Sequence, residues 1–332
     1  MGIKAHACDR VLSVAMEPWA ITRTMLAVVA RVLGRRLGGD PLSFDDDSPG
    51  FERRPPAGPV TANGYAVIPI HGVIAPRMNA FSDISGGSTF EQATAALADA
   101  VAHPRVQAIV LDIDSPGGSV LGASEFARRV MAARTKKPII ASANYQMCSA
   151  AYWLGACATE VVAAPSAVLG SIGVFTIHED LSKALEDAGV KLTYISAGKY
   201  KVDGVDGQPL TETAAGRLQT QVDAHYARFI GDVAKGRGLT DAAVRDGYGQ
   251  GACVNADEAL ALGMIDRIET LDETIGRLFP ASSSNPAPMI PARATATAPV
   301  PADTVQEPTT ATTQDLARIR RETQAALLAL SF

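Results

Sequence analysis

Between residues 63 and 275, short β-branched runs alternate with stretches of helical periodicity, and this alternation leaves few folds open. Strands are expected at Tyr65–Ile70, Ala108–Ile113, Pro138–Ala143, Glu160–Ala163, Ile172–Ile177 and Leu192–Ile195. Helical patterns fall between them at about 89–102, 120–134, 149–157 and 180–188. A longer one follows at 211–236, with Leu218, Val222, Tyr226, Phe229 and Val233 on one face. Strands joined by crossovers of a dozen or more residues pair mainly in parallel. The expected class is α/β, a mainly parallel sheet with flanking helices.

Two flanks differ in composition. Residues 1–62 hold an apolar-periodic segment that reads as a helix starting near Pro18, with Ile21, Met25, Val28, Val29 and Val32 on one face. A Pro/Gly-rich linker follows. The apolar run Met25–Leu33 is far shorter than the roughly 20 residues that span a bilayer, and Arg31 interrupts it. No charged start, apolar centre and small-residue cleavage site occur in order, so neither export nor membrane anchoring is expected. Residues 276–332 form a Pro/Ala/Thr-rich tail, expected to be disordered and open to self-cleavage within 276–312. The tail ends in a short helical pattern carrying Leu316, Ile319, Thr323, Leu327 and Leu330.

Net charge and cysteine usage narrow the function. A charge of −5 gives no basic footprint for a phosphate backbone, and 5% aromatic residues make poor stacking platforms, so nucleic acid is not an expected partner. Cys8, Cys148, Cys157 and Cys253 lack CxxC spacing and no histidine stands at ligand spacing from them. The reading is of reduced thiols, with no metal and no cofactor.

Three segments are able to carry chemistry. Asp112-Ile113-Asp114-Ser115-Pro116-Gly117-Gly118 ends an apolar strand in a glycine turn, whose N–H groups can line an oxyanion hole. The same tripeptide is also an ordinary turn. Met147-Cys148-Ser149-Ala150-Ala151 carries a strand through small residues into a helix, placing Ser149 at a helix N-terminus. A serine there is either a nucleophile or a plain N-cap. Gly198-Lys199-Tyr200-Lys201-Val202-Asp203-Gly204 holds two lysines that are solvated loop residues or, if one is buried, a base. A lysine acts as a base only when its pKa falls from about 10.4 towards neutrality, which burial can achieve.

SPGG, SAAYW, GSIGV at Gly170–Val174 and GKYKVDG follow one another in the order and spacing of the signal peptide peptidase A family, which this sequence resembles over about 65–270. The resemblance implies a ClpP/crotonase-like spiral fold and a serine peptidase with a Ser–Lys dyad. Ser149 stands at the nucleophile position and Lys201 at the base position. Ser171 matches a hydroxyl that orients the lysine, while Gly117, Gly118 and Ala150 match the oxyanion donors. It also implies a homo-oligomeric ring, in which Lys201 can serve a neighbouring subunit, and polypeptide substrates. Ala150-Ala151 stands where the family often has Gly-Gly. KVDG, GSIGVFTIHED and the two extensions are similar to the phage head-processing branch, which implies capsid, scaffold or portal substrates in a host cytoplasm or procapsid.

Three other readings remain open. A cytosolic peptide-degrading member of the same family is one. A ClpP-like Ser149–His178–Asp triad, with Asp180 or another acid as orienter, is the second. A crotonase-fold acyl-CoA enzyme, whose glycine turn stabilises an enolate, is the third. The expected divisions are 1–62, 63–275 and 276–332.

Overall fold

The structure is a computed structural model, and residues 19–22, 60–62, 64–77, 87–205 and 207–280 are described. The strands are β1 (Trp19–Ile21), β2 (Val60–Ala62), β3 (Tyr65–His71), β4 (Ala108–Ser115), β5 (Gly117–Ser119), β6 (Ile139–Cys148), β7 (Glu160–Ala163), β8 (Val168–Gly170), β9 (Cys253–Asn255) and β10 (Arg267–Ile268). The helices are α1 (Phe90–Ala102), α2 (Ala123–Ala133), α3 (Ala150–Gly155), α4 (Ser182–Asp187), α5 (Glu212–Arg237), α6 (Asp241–Gly247), α7 (Ala256–Ala261) and α8 (Leu271–Leu278).

The main sheet runs β10-β7-β6-β4-β3-β2, with β8 on β6 and β9 on β8. The pairs along β3, β4, β6, β7, β8 and β10 are parallel, while β2 and β9 pair antiparallel at the margins. The α/β expectation is borne out. Strand β4 shows why its sequence is apolar without alternation: Ala108–Leu111 is buried on both faces, as befits a strand inside a parallel sheet.

Strand β6 is the spine. Its first half pairs with β7 through Ile140–Ala143, and its last residues Gln146–Cys148 pair with β8. On its other edge β4 follows it with a register shift: Ile113 opposes Ala143, but Ser115 opposes Met147. That irregularity brings the SPGG turn beside Met147-Cys148-Ser149. The expected end of this strand, Ala143, falls five residues short of Cys148 because those last pairings are long-range.

Three expectations differ from the structure. Trp19–Ile21 is a strand rather than the first turn of a helix from Pro18; it is held by β5, about a hundred residues away, and propensity cannot foresee that. The other residues of that pattern, Met25, Val28, Val29 and Val32, lie outside the described residues, as do Cys8 and the whole tail from residue 281. No strand forms at Ile172–Ile177 or Leu192–Ile195. The second of these is exposed, with Ile195 at 97%, and has no strand beside it among the described residues. Finally, α8 runs to Leu278 through a Thr270/Glu273 capping box, past residue 275 where the tail was expected to begin.

One polar knot fixes the helix that follows Ser149. Asp232 on α5 is buried and its Oδ2 accepts from Ser124 Oγ (2.7 Å) and Trp153 Nε1 (3.1 Å). Trp153 also stacks on Phe229, with ring centroids 4.5 Å apart. α2, α3 and α5 are thereby tied together. Removing the carboxylate orphans two buried donors, so Asp232→Ala should destabilise the protein by about 3 kcal/mol in urea unfolding. A loss below about 0.5 kcal/mol would show that the knot does not hold α3.

Candidate active site

Ser149 leaves β6 with φ 54° and ψ −120°, dihedrals that suit the first central residue of a type II′ turn and are normally glycine's. The turn is held from both sides. Its N–H donates to Gly170 O (2.6 Å), and its carbonyl accepts from Trp153 N–H (2.9 Å), starting α3. A serine forced into this conformation stores backbone strain, and such strain gathers at functional sites. Its Oγ is buried and has no hydrogen-bond partner among the described residues.

The SPGG turn lies against it. A Cβ on Gly117 would sit 2.9 Å from Ser149 Cβ, and one on Gly118 would strike the Ile74 carbonyl. Both positions therefore need glycine, and Gly117 also has φ 105°. Gly117 N–H is already donated to Ser115 Oγ (3.1 Å), whose own hydroxyl donates to Gly72 O (2.7 Å). Gly117 N–H is thus held within its own turn, whereas Gly118 N–H faces β1, a separate segment, and is the candidate donor. Ala150, the first residue of α3, is fully buried beside Ser149.

Lys201 is not brought to Ser149. It lies in an exposed turn after Gly198, and no bond from it reaches the serine Oγ. His178 is not brought there either: its ring nitrogens lie 3.3 and 3.1 Å from the carbonyl oxygens of Gly204 and Gln208. It braces the loop that carries Lys201. Asp180 Oδ1 caps Ser182 N–H (2.9 Å) instead of orienting an imidazole. The charges of a Ser149–His178–Asp180 triad are not assembled within the described chain.

Ser171 also has positive φ, 53°, and its N–H donates to Ala252 O (2.7 Å). Its hydroxyl is close enough to the Cys253 thiol to lower that thiol's pKa. The preceding Gly170, whose carbonyl takes the Ser149 N–H, shows a job for the GSIGV motif that its sequence does not announce. Across Gly170, Cys148 Sγ lies 3.8 Å from Cys253 Sγ. The hydrogen bond from Cys148, and then the nearby Ser171 hydroxyl, draw the Cys253 pKa down to about 7, whereas the same contact with Cys253, together with burial, pushes Cys148 up. Burial, with Asp232 nearby, pushes Cys157 up to about 12. Among the described residues no group of acids, cysteines and histidines is placed to hold a metal ion.

Residues 131–282 match Peptidase family S49, a span that includes Ser149, Ser171 and Lys201. Capsid assembly protease C of Escherichia phage lambda is 34% identical over 234 residues, covering 70% of this chain and 52% of that protein. Over residues 131–282 the chain belongs to peptidase family S49. A second relative, head-tail preconnector protein GP5 of Enterobacteria phage P21, is 30% identical over 284 residues, covering 81% of this chain and 56% of that protein. Protease 4 of Salmonella typhi is 31% identical, covering 65% of this chain and 34% of that protein. The chain spans about half the length of the two phage relatives. Among solved structures, a ClpP1 point mutant from Listeria monocytogenes superposes with a TM-score of 0.40 at 12% identity, covering 61% of this chain and 91% of that one.

Two measurements check this local chemistry. Replacing Ser149 by glycine relieves the positive φ, so the Ser149→Gly protein should be more stable than Ser149→Ala by roughly 1 kcal/mol in urea unfolding. Equal stabilities would show an unstrained turn. Iodoacetamide should alkylate Cys253 with a midpoint near pH 7, and Ser171→Ala should move that midpoint upward. An unmoved midpoint would mean that the hydroxyl does not reach the thiol.

Proposed function

We propose that this S49 protein is a serine endopeptidase whose nucleophile is Ser149 and whose general base is Lys201, lent by a neighbouring copy of the chain. The observation that carries the reading is Ser149 held at φ 54° with the Gly117–Gly118 turn packed against its Cβ. Nucleophile, turn and the buried start of α3 stand together. The lysine alone is elsewhere.

A neighbouring copy supplies it on this reading. More than half of the exposed large apolar side chains among the described residues lie in 177–210, the segment that carries Lys201. Val190, Leu192, Tyr194, Ile195 and Tyr200 are among them, and a patch of this kind marks an interaction surface. Docking that face against another copy in a closed ring would bury both the patch and the amine, and burial favours the neutral amine that a base must be.

The reaction is acyl transfer through an ester. Lys201 Nζ takes the proton from Ser149 Oγ as the Oγ–C bond forms, and Gly118 and Ala150 N–H groups hold the oxyanion, with Gly117 keeping the turn open. The C–N bond breaks as the ammonium returns a proton to the leaving amine, and water then hydrolyses the ester by the same route. Ser171 orients the amine once it arrives. On this reading the substrates are capsid, scaffold or portal polypeptides, cut in a host cytoplasm or procapsid, and the likeness to a phage capsid assembly protease and a head-tail preconnector protein supports it. Among the described residues no helix is long and apolar enough to cross a membrane.

Casein or scaffold cleavage by separate Ser149→Ala and Lys201→Ala proteins should be undetectable. Mixed before assembly, the two should regain activity in about a quarter of the sites, because each complete site then draws Ser149 and Lys201 from different variants. Full activity of Lys201→Ala alone would remove the dyad, and a dead mixture would place both groups in one chain.

A further inference from the structure

Strand β1 is paired on both edges. On one it runs antiparallel to β5, with Trp19 opposite Ser119, Ala20 opposite Gly118 and Ile21 opposite Gly117. On the other, Trp19 and Phe175 exchange both N–H···O bonds, at 2.9 and 3.1 Å. Trp19 and Ile21 pack with Val73 and Phe175, and Ala20 has no exposed surface. Three residues from the far N-terminal part of the chain thus fill a slot whose walls are Phe175 and the SPGG turn.

The register sets what they block. In an antiparallel ladder, hydrogen-bonded and non-bonded pairs alternate. Thr22 N–H donates to Pro116 O at 3.1 Å, which makes Ala20 and Gly118 the next bonded pair. Gly118 N–H therefore points at the Ala20 carbonyl oxygen. A Cβ placed on Gly117 would strike that same oxygen while standing 2.9 Å from Ser149 Cβ, so Ala20 and Ser149 flank one glycine. Ser149 itself is 1% exposed. The donor assigned to the oxyanion is taken by a main-chain carbonyl, and the nucleophile is buried.

Main-chain pairing along an open strand edge, with side chains set into alternate pockets, is how folded proteins grip extended peptides. We propose that Trp19–Ile21 lies in the slot that receives the polypeptide substrate, as an intramolecular occupant that must be displaced or cut away before another chain reaches Ser149. The proposal rests on Ser149 being the nucleophile. It also assigns the substrate chemistry: an extended segment with a small residue opposite Gly118 and large apolar residues on either side, as in Trp-Ala-Ile.

Hydrogen exchange on the full chain carrying Ser149→Ala tests the slot without using catalysis. An excess of a synthetic peptide matching residues 17–23 should speed exchange of the Trp19–Thr22 amides by about tenfold or more, since a competitor for the slot frees them. In the otherwise native chain, Trp19→Gly with Ile21→Gly should raise the rate of fluorophosphonate labelling at Ser149 by about tenfold. Exchange that ignores the peptide, together with labelling no faster in the double variant, would overturn the proposal. Should the double variant melt early, the exchange result decides alone. Labelling of Ser149 in neither protein would instead count against the nucleophile, and peptide-driven exchange would still support the occupied slot.

Discussion

Ser149 cannot hold its backbone dihedrals by itself, and much of the surrounding architecture serves to hold them. A non-glycine residue at φ 54° and ψ −120° costs on the order of 1–3 kcal/mol. Three features oppose that cost: the 2.6 Å bond from Ser149 N–H to Gly170, the helix that begins at its carbonyl, and the anchoring of Trp153 by Asp232 and Phe229. Each comes from a different part of the chain. The sheet order makes this convergence possible, because β6 divides its edge between β7 and β8 and so brings Gly170 alongside Cys148.

The same convergence explains which features are legible in the sequence. Glu160–Ala163 is read to the residue, and Tyr65–Ile70 and Ala108–Ile113 lie within β3 and β4, because buried parallel strands are dense in β-branched residues. The helix at 211–236 is framed by a Thr211 cap and by Gly238 at φ 68°, both local signals. Its outer turns differ from the expected face, since Leu218 and Val222 are only half-buried while Asp232 is buried. A charged residue reads as solvent-facing, and nothing near Asp232 in sequence reveals that Ser124 and Trp153 will meet it.

β1 and β8 are missed for a different reason. Pro18 followed by spaced apolar residues reads as a helix start, yet Trp19–Ile21 is set by pairing with β5 and Phe175. Strand identity in so short a segment comes from its partners rather than from its own residues. Ser149 and the glycine turn each read equally as an N-cap and an ordinary turn, and only their order with GSIGV and GKYK singled them out. The lack of room at the glycines comes from Ile74, Ala20 and Ser149, distant in sequence. Ser115, whose hydroxyl accepts from Gly117 N–H, carries no mark of that bond, which is known only from contacts.

The separation of Ser149 from Lys201 follows from the physics of their environments. A lysine buried in one chain without a partner is costly, because desolvation penalises the ammonium. A chain that keeps this residue exposed until assembly avoids that cost while folding. In the proposed assembly the exposed apolar side chains around it would supply the drive for docking, at roughly 1.5–3 kcal/mol for each one fully buried. Ile195, at 97% exposure, has nearly all of that contribution still to make. On the proposed dyad, the burial of Ser149 and the exposure of Lys201 are two halves of one constraint: neither group would be competent in the chain alone, and peptide-bond cleavage would be coupled to assembly and to release of β1.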